Sequence, residues 1–269
     1  MANERIPTTK SSRTSTMRKT AFVAGLLYLI TYLAIPTVAL YGPVLSDPGF
    51  VVSTGSDTGI LWGAFLELIV AFANVGTGVV LFTVLKRQNE GVALGFVTSR
   101  LFESAVIVVG IISVLSVVTL RQEAATIPGA DSAAFVAIGQ SLVAIHDWSF
   151  LVGQTLLPGI NAVLLGSLFY RSGLVPRIIP LMGLVGGPLM ISSALGQVVG
   201  INEQISVWSG IALVPIFLWE LTLGLWLVFK GFRKDAPLML EAAGEVASPD
   251  ALAGVTRSSI GVASKAGAA

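Results

Sequence analysis

Long apolar runs separated by short polar stretches set the pattern of this chain. Six runs reach the ~20 residues needed to cross a bilayer core. They lie at about Ala21 to Tyr41, Gly59 to Leu85, Val92 to Leu120, a stretch starting before Trp148 and ending near Tyr170, Ile178 to Val199, and Val207 to Phe229. Only helices satisfy every backbone group within one such segment. The expected fold class is therefore all-α: a polytopic membrane protein built as a bundle of six transmembrane helices. Residues 20–234 form the membrane domain. Residues 1–19, rich in Ser, Thr, Lys and Arg, read as a disordered basic tail. Residues 235–269, rich in Ala, Gly and Ser, read as a flexible C-terminal tail. The first run exceeds the roughly 7–15-residue core of a signal peptide. It lacks a small-residue cleavage site before Tyr41 and Pro43, so it is expected to stay as a helix.

The long segment before the fourth span holds one more element. Phe135, Ile138, Leu142 and Ile145 recur at helical spacing, with Asp131 or Ser132 as N-cap. The pattern predicts a short outer amphipathic helix, or an outward extension of the fourth span. Prolines at 36, 158, 188 and 215 interrupt four spans. In the fifth span, Gly183/Gly187 and Gly196/Gly200 are small-xxx-small pairs. They predict close helix packing, within the chain or in a homo-oligomer.

Composition narrows the class. The chain is 54% hydrophobic and 12% charged, against about 25% charged in soluble domains. A lipid bilayer is the expected surrounding. Cysteine is absent and histidine occurs once, which removes disulfides, thiolate chemistry and His-rich metal sites. No cofactor, metal or nucleic-acid partner is expected. Neither HExxH nor GxSxG occurs, so intramembrane proteolysis has no motif here.

Charge placement sets the expected topology. The N-terminal tail holds Arg5, Lys10, Arg13, Arg18 and Lys19. The second-to-third loop holds Lys86 and Arg87, the fourth-to-fifth Arg171 and Arg177, and the C-terminal tail Lys230, Arg233, Lys234, Arg257 and Lys265. Only Arg121 lies in an opposite loop, and Arg100 lies within a span. The positive-inside rule then places both termini in the cytoplasm of a bacterial inner membrane. Tyr41, Trp62, Trp148 and Trp208 fall at the outer boundary, as an aromatic belt does.

The candidate chemistry lies inside the spans. Arg100 and Glu103 share one helix face. At ~1.5 Å per residue from the inner boundary, Arg100, Glu103, Glu220, Asn161 and Asn74 all fall at ~13–18 Å, near mid-membrane. Glu67, His146, Asp147, Gln154 and Gln197 fall in the outer third, so the polar set reads as a column open to the outside. Three carboxyls, Glu67, Glu103 and Glu220, accompany one fixed cation, Arg100. The surplus carboxyls must be protonated, hydrated or bound to a cation. Glu220, with no cation within a turn of its own helix, is the one expected to exchange a proton. Its bland alternative is a fixed hydrogen bond to Asn161 or Asn74. His146-Asp147 is the sole imidazole–carboxylate neighbourhood. A histidine satisfied at the membrane boundary is the commoner meaning of such a residue, beside proton shuttling.

Three functions follow in order. The first is binding or passage of a small solute or proton in an outward-facing cavity. The second is a non-catalytic scaffold whose polar residues only fix helix packing. The third is a lipid-directed intramembrane enzyme using His146, Asp147 and Glu67.

Four patches resemble a bacterial family of small integral membrane proteins, catalogued as domain of unknown function 4386. They are Arg18-Lys19-Thr20-Ala21 with Gly25-Leu26-Leu27-Tyr28-Leu29; Arg100-Leu101-Phe102-Glu103-Ser104-Ala105; His146-Asp147; and Tyr170-Arg171-Ser172-Gly173-Leu174-Val175-Pro176-Arg177. The resemblance covers roughly residues 17–232. It implies a six-helix membrane domain, draws attention to Arg100, Glu103 and His146, and supplies no substrate.

Overall fold

The computed structural model describes residues 9–128, 131–204 and 206–240. Its regular elements are helices: α1 (Thr9–Ile30), α2 (Ala34–Ser46), α3 (Thr58–Leu85), α4 (Glu90–Ala124), α5 (Ser132–Phe150), α6 (Leu157–Ser172), α7 (Ile178–Val198) and α8 (Val207–Phe229). A 3-10 turn, Thr31–Leu33, joins α1 to α2, and a π turn, Leu151–Leu156, joins α5 to α6. Counting each joined pair as one span, six helices among the described residues are long and apolar enough to cross a membrane. The chain is a multi-pass α-helical membrane protein.

Both joints trace to proline. Pro36 has no amide to offer Tyr32 four residues back, and the first span breaks at Thr31–Leu33 just before it. Pro158 likewise offers no amide to Gln154, and the fourth span widens into its π turn there. The amphipathic segment before Trp148 is an extension of the fourth span, continuous over Ser132–Ser172. Asp131 caps its start, its carboxylate accepting from the amides of Ala133 at 3.0 Å and Ala134 at 3.3 Å.

The break at Thr31–Leu33 shapes the bundle. In the half nearer Lys86 and Arg171, each span packs on the next. α1 lies on α3 and α8, α8 on α7, α7 on α6, α6 on α4, and α4 on α3. This closed ring buries Tyr28, Leu81, Phe96, Leu165, Phe169 and Trp219. In the other half, α2 turns from α8 and packs along α3, while α5 packs on α4. A second core forms there from Tyr41, Val44, Phe50, Ile60, Val114 and Val117.

The tail expectations are corrected where the structure describes them. Residues 9–19 are not disordered but the first turns of α1. Arg18 donates to the carbonyls of Leu227 at 3.0 Å, Val228 at 2.6 Å and Phe229 at 3.2 Å, satisfying orphan carbonyls at the end of α8. Residues 235–240 are not loose either, because Ala236 and Leu238 are buried in the main core. The Arg233 amide donates to Leu174 O at 2.8 Å. Its guanidinium, hydrogen-bonded to Asp235, holds that carboxyl below its ordinary range. Residues 1–8 and 241–269, the rest of the expected tails, lie outside the described residues.

Gly183 and Gly187 are used within the chain. A Cβ on Gly183 would meet the Trp219 ring at 2.8 Å, and one on Gly187 the Gly159 carbonyl at 2.7 Å. Trp62 and Trp148 are exposed and suit the boundary role, but Tyr41 is buried.

Arg121, expected in a loop, is the last-turn arginine of α4 and is buried. It pairs with Asp57 at 2.7 Å, donates to Ser53 O at 3.1 Å and lies 4.4 Å over the Phe50 ring. It ties the α2–α3 connection to α4. Arg121→Ala should lower stability by roughly 1–3 kcal/mol, because Asp57 and the Ser53 carbonyl lose a charged donor. Thermal unfolding in detergent checks this, and an unchanged midpoint contradicts the clamp.

Candidate functional site

Five spans deliver side chains to one buried cluster. α4 contributes Arg100 and Glu103 one turn apart, so both point inward. Their side chains are 3% and 4% exposed. Arg100 Nη1 donates to Glu103 Oε2 at 3.0 Å and Oε1 at 3.2 Å, and to Asn74 Oδ1 of α3 at 3.1 Å. Arg100 Nη2 donates to the Tyr28 hydroxyl of α1 at 2.9 Å and faces Glu220 Oε1 of α8 at 3.4 Å. The guanidinium also lies 5.2 Å from the Tyr28 ring centroid and 5.6 Å from that of Phe96. Asn74 Nδ2 returns a bond to Glu103 Oε1 at 3.1 Å. Asn161 Nδ2 of α6 donates to Glu103 Oε2.

The two carboxylates around Arg100 are not equivalent. Glu103 is held by the arginine and by two amides. Among the described residues Glu220 has the arginine alone, at the longer distance, and its side chain is 21% exposed. Asn74 and Asn161, its expected alternative partners, both serve Glu103 instead. Glu220 faces a cavity of about 180 Å3, whose polar lining includes Tyr32, Asn74, Arg100, Glu103 and Gln154. With both carboxylates ionised, Arg100 leaves this group with one net negative charge.

Glu67 stands apart from Arg100. The Tyr41 hydroxyl of α2 donates to Glu67 Oε2 at 2.9 Å, and Gln154 Nε2 of the π turn donates to Oε1 at 2.9 Å. The His146 and Tyr41 rings stand perpendicular, with centroids 5.7 Å apart. The His146 Nδ1 lies 3.4 Å from the exposed Asp147 carboxylate. The expected single column is thus two groups, with Gln154 touching both: it bonds Glu67 and lines the cavity beside Glu220. The turn that displaces Gln154 is the π turn ahead of Pro158. Among the described residues no three His, Asp or Glu side chains stand close enough to hold a metal ion.

Sequence reasoning passed over Tyr28, Tyr32 and Tyr41 as site residues. Tyr28 had a usable signal: nine residues past Lys19, it sits ~13 Å deep, level with Arg100. Tyr41 had none, since an aromatic at a span end reads as belt.

This fold and cluster define a polytopic α-helical membrane protein with ionisable groups buried at mid-span. A family model described as Domain of unknown function (DUF4386) matches residues 23–231, and the chain belongs to that family. Compared with curated proteins and with solved structures, the chain finds no match.

Proposed function

We propose that this protein binds, and passes, a small cationic solute or a proton at Glu220. The observation that carries this reading is the sharing of Arg100. One guanidinium serves two carboxylates, and the less satisfied one faces open space. A buried group with one net negative charge is costly in a bilayer unless a positive charge joins it. The ligand supplies that charge. The surrounding is a bacterial inner membrane with both termini in the cytoplasm. The cavity then lies between mid-membrane and the outer face, and Gln154 leads from it to Glu67, Tyr41 and His146.

Infrared difference spectra across a pH titration test the proton form of this reading. A protonated-carboxyl band that titrates and vanishes in Glu220→Gln is expected. A band that never titrates removes the exchange role. The scaffold reading has its own support, because the Arg100 group joins α1, α3, α4, α6 and α8. It predicts that Glu220→Gln changes stability alone.

Topology is tested separately. Reporter fusions at Asp47, Asp131 and Glu203 should read as external, and fusions after Lys86 and Arg171 as internal. Two reversed loops contradict the orientation.

A further inference from the structure

We infer that the cavity fills sideways, from the membrane, and that its ligand is an amphiphilic monocation: an ammonium head on Glu220 with an apolar chain lying between α2 and α8. The inference rests on the reading of Glu220 as a cation site and names the ligand class.

The opening follows from the break in the first span. α1 packs on α8 while α2 packs on α3, and the cavity is lined from both α2 and α8. Tyr32 closes the narrow end. Its hydroxyl donates to Phe217 O of α8 at 2.7 Å, and its ring meets the Phe217 ring edge-on at 5.1 Å. Beyond Tyr32 the walls are Ala34 and Ile35 on one side and Leu213, Ile216 and Phe217 on the other. Three of these carry large apolar surface outward: Ile35 is 56% exposed, Leu213 49% and Phe217 40%. In a membrane-spanning helix such surface faces lipid.

Every lining residue comes from a spanning helix or from the break itself, and none from the connecting loops. The mouth is therefore apolar and lateral, which disfavours a hydrated ion arriving from water. The floor is the reverse: Glu220, Arg100 and Glu103, which carry one net negative charge when both carboxyls are ionised. A volume of about 180 Å3 compares with the ~150 Å3 engineered cavity that holds benzene. It suits a methylated ammonium head but no whole lipid, so the chain must extend through the mouth. An apolar mouth over an anionic floor is the complement of a cationic amphiphile.

The test uses the full chain in phosphatidylcholine nanodiscs, titrated with dodecyltrimethylammonium below its micellar concentration. Empty nanodiscs give the partition background. One saturable site per chain is expected, lost in Glu220→Gln. Ile35→Trp, on the lipid-facing wall and away from Glu220, should weaken binding at least tenfold, as should Leu213→Trp. Tetramethylammonium, the same head without the chain, should bind at least tenfold more weakly than the amphiphile. Thermal unfolding confirms that each variant is folded. Equal binding of both cations, unaffected by Ile35→Trp, overturns lateral entry and leaves the cation site standing. Absence of binding by either cation, with a titrating Glu220 band still present, overturns the amphiphile and leaves a proton site. Saturable binding that survives in Glu220→Gln places the amphiphile elsewhere and also overturns the inference.

Discussion

Arg100→Ala lowers the stability of the folded protein by about 3–5 kcal/mol, the range for removing one partner of a buried ion pair. The loss is large because five contacts end together. Glu103 keeps only Asn74 and Asn161, Glu220 keeps no cation, and the Tyr28 hydroxyl loses its donor. Arg100→Lys restores the charge but not the fork. A single ammonium cannot hold Glu103, Asn74, Tyr28 and Glu220 at once, so it should fall between wild type and Arg100→Ala. The double variant Arg100→Gln with Glu103→Gln removes both charges and keeps amide donors in place. It should lose less than the sum of its single changes. Thermal unfolding of wild type, these variants and the two single Gln changes, all in one detergent, measures this. An Arg100→Ala midpoint equal to wild type contradicts the role given to this residue.

Gly187→Leu should prevent α6 and α7 from docking, and purified folded protein should be lost or much reduced. A Cβ at Gly187 would lie 2.7 Å from the Gly159 carbonyl oxygen and 2.7 Å from Val163 Cγ2. The reverse contact is as tight: a Cβ at Gly159 would lie 2.9 Å from the Gly187 carbonyl. Two backbones touch here, so no rotamer change relieves the clash. Gly187→Ala should already cost about 1–3 kcal/mol, as overpacking does. The damage should also reach the site, because Asn161, a donor to Glu103, sits two residues past Gly159. Gly95 is the control. A Cβ there meets nothing within 4 Å, and Gly95→Ala should stabilise α4 by up to about 1 kcal/mol through helix propensity. Equal midpoints for Gly95→Ala and Gly187→Ala contradict the close approach.

The spans were legible because length and hydropathy alone define them; the second, third, fifth and sixth end within a few residues of their expected bounds. The joints were less so. Pro36 marked an interruption, but only the structure shows the helix parting at Thr31–Leu33, with α1 and α2 going to different neighbours. Arg18 hides the true start of α1, since a basic Ser/Thr-rich stretch reads as a tail until its guanidinium finds the α8 carbonyls.

In the site, spacing alone put Arg100 and Glu103 on one face. It also left Arg100 with two candidate carboxylates on other helices, Glu67 and Glu220. Choosing Glu220 over Glu67 depends on which helices are neighbours and on their rotation, and hydropathy carries neither. The same holds for Asn74 and Asn161, whose depth was readable but whose partner was not. Tyr41 misled because burial, not position at a span end, decides what its hydroxyl does; here it holds Glu67.

The central claim is that one guanidinium is shared between two glutamates of different helices. Solid-state NMR on the protein in lipid measures this directly, with arginine side-chain nitrogens labelled with 15N and glutamate carboxyl carbons with 13C. Among the arginines of the described residues only Arg100 pairs with a glutamate side chain. The dipolar recoupling signal should therefore report two carboxyl carbons near Arg100. Glu220→Gln should remove one coupling and leave the other, and Glu103→Gln should do the reverse. A single coupling that disappears entirely in Glu103→Gln and is untouched in Glu220→Gln would contradict the shared arginine, and with it the unmet charge on which the cation site depends.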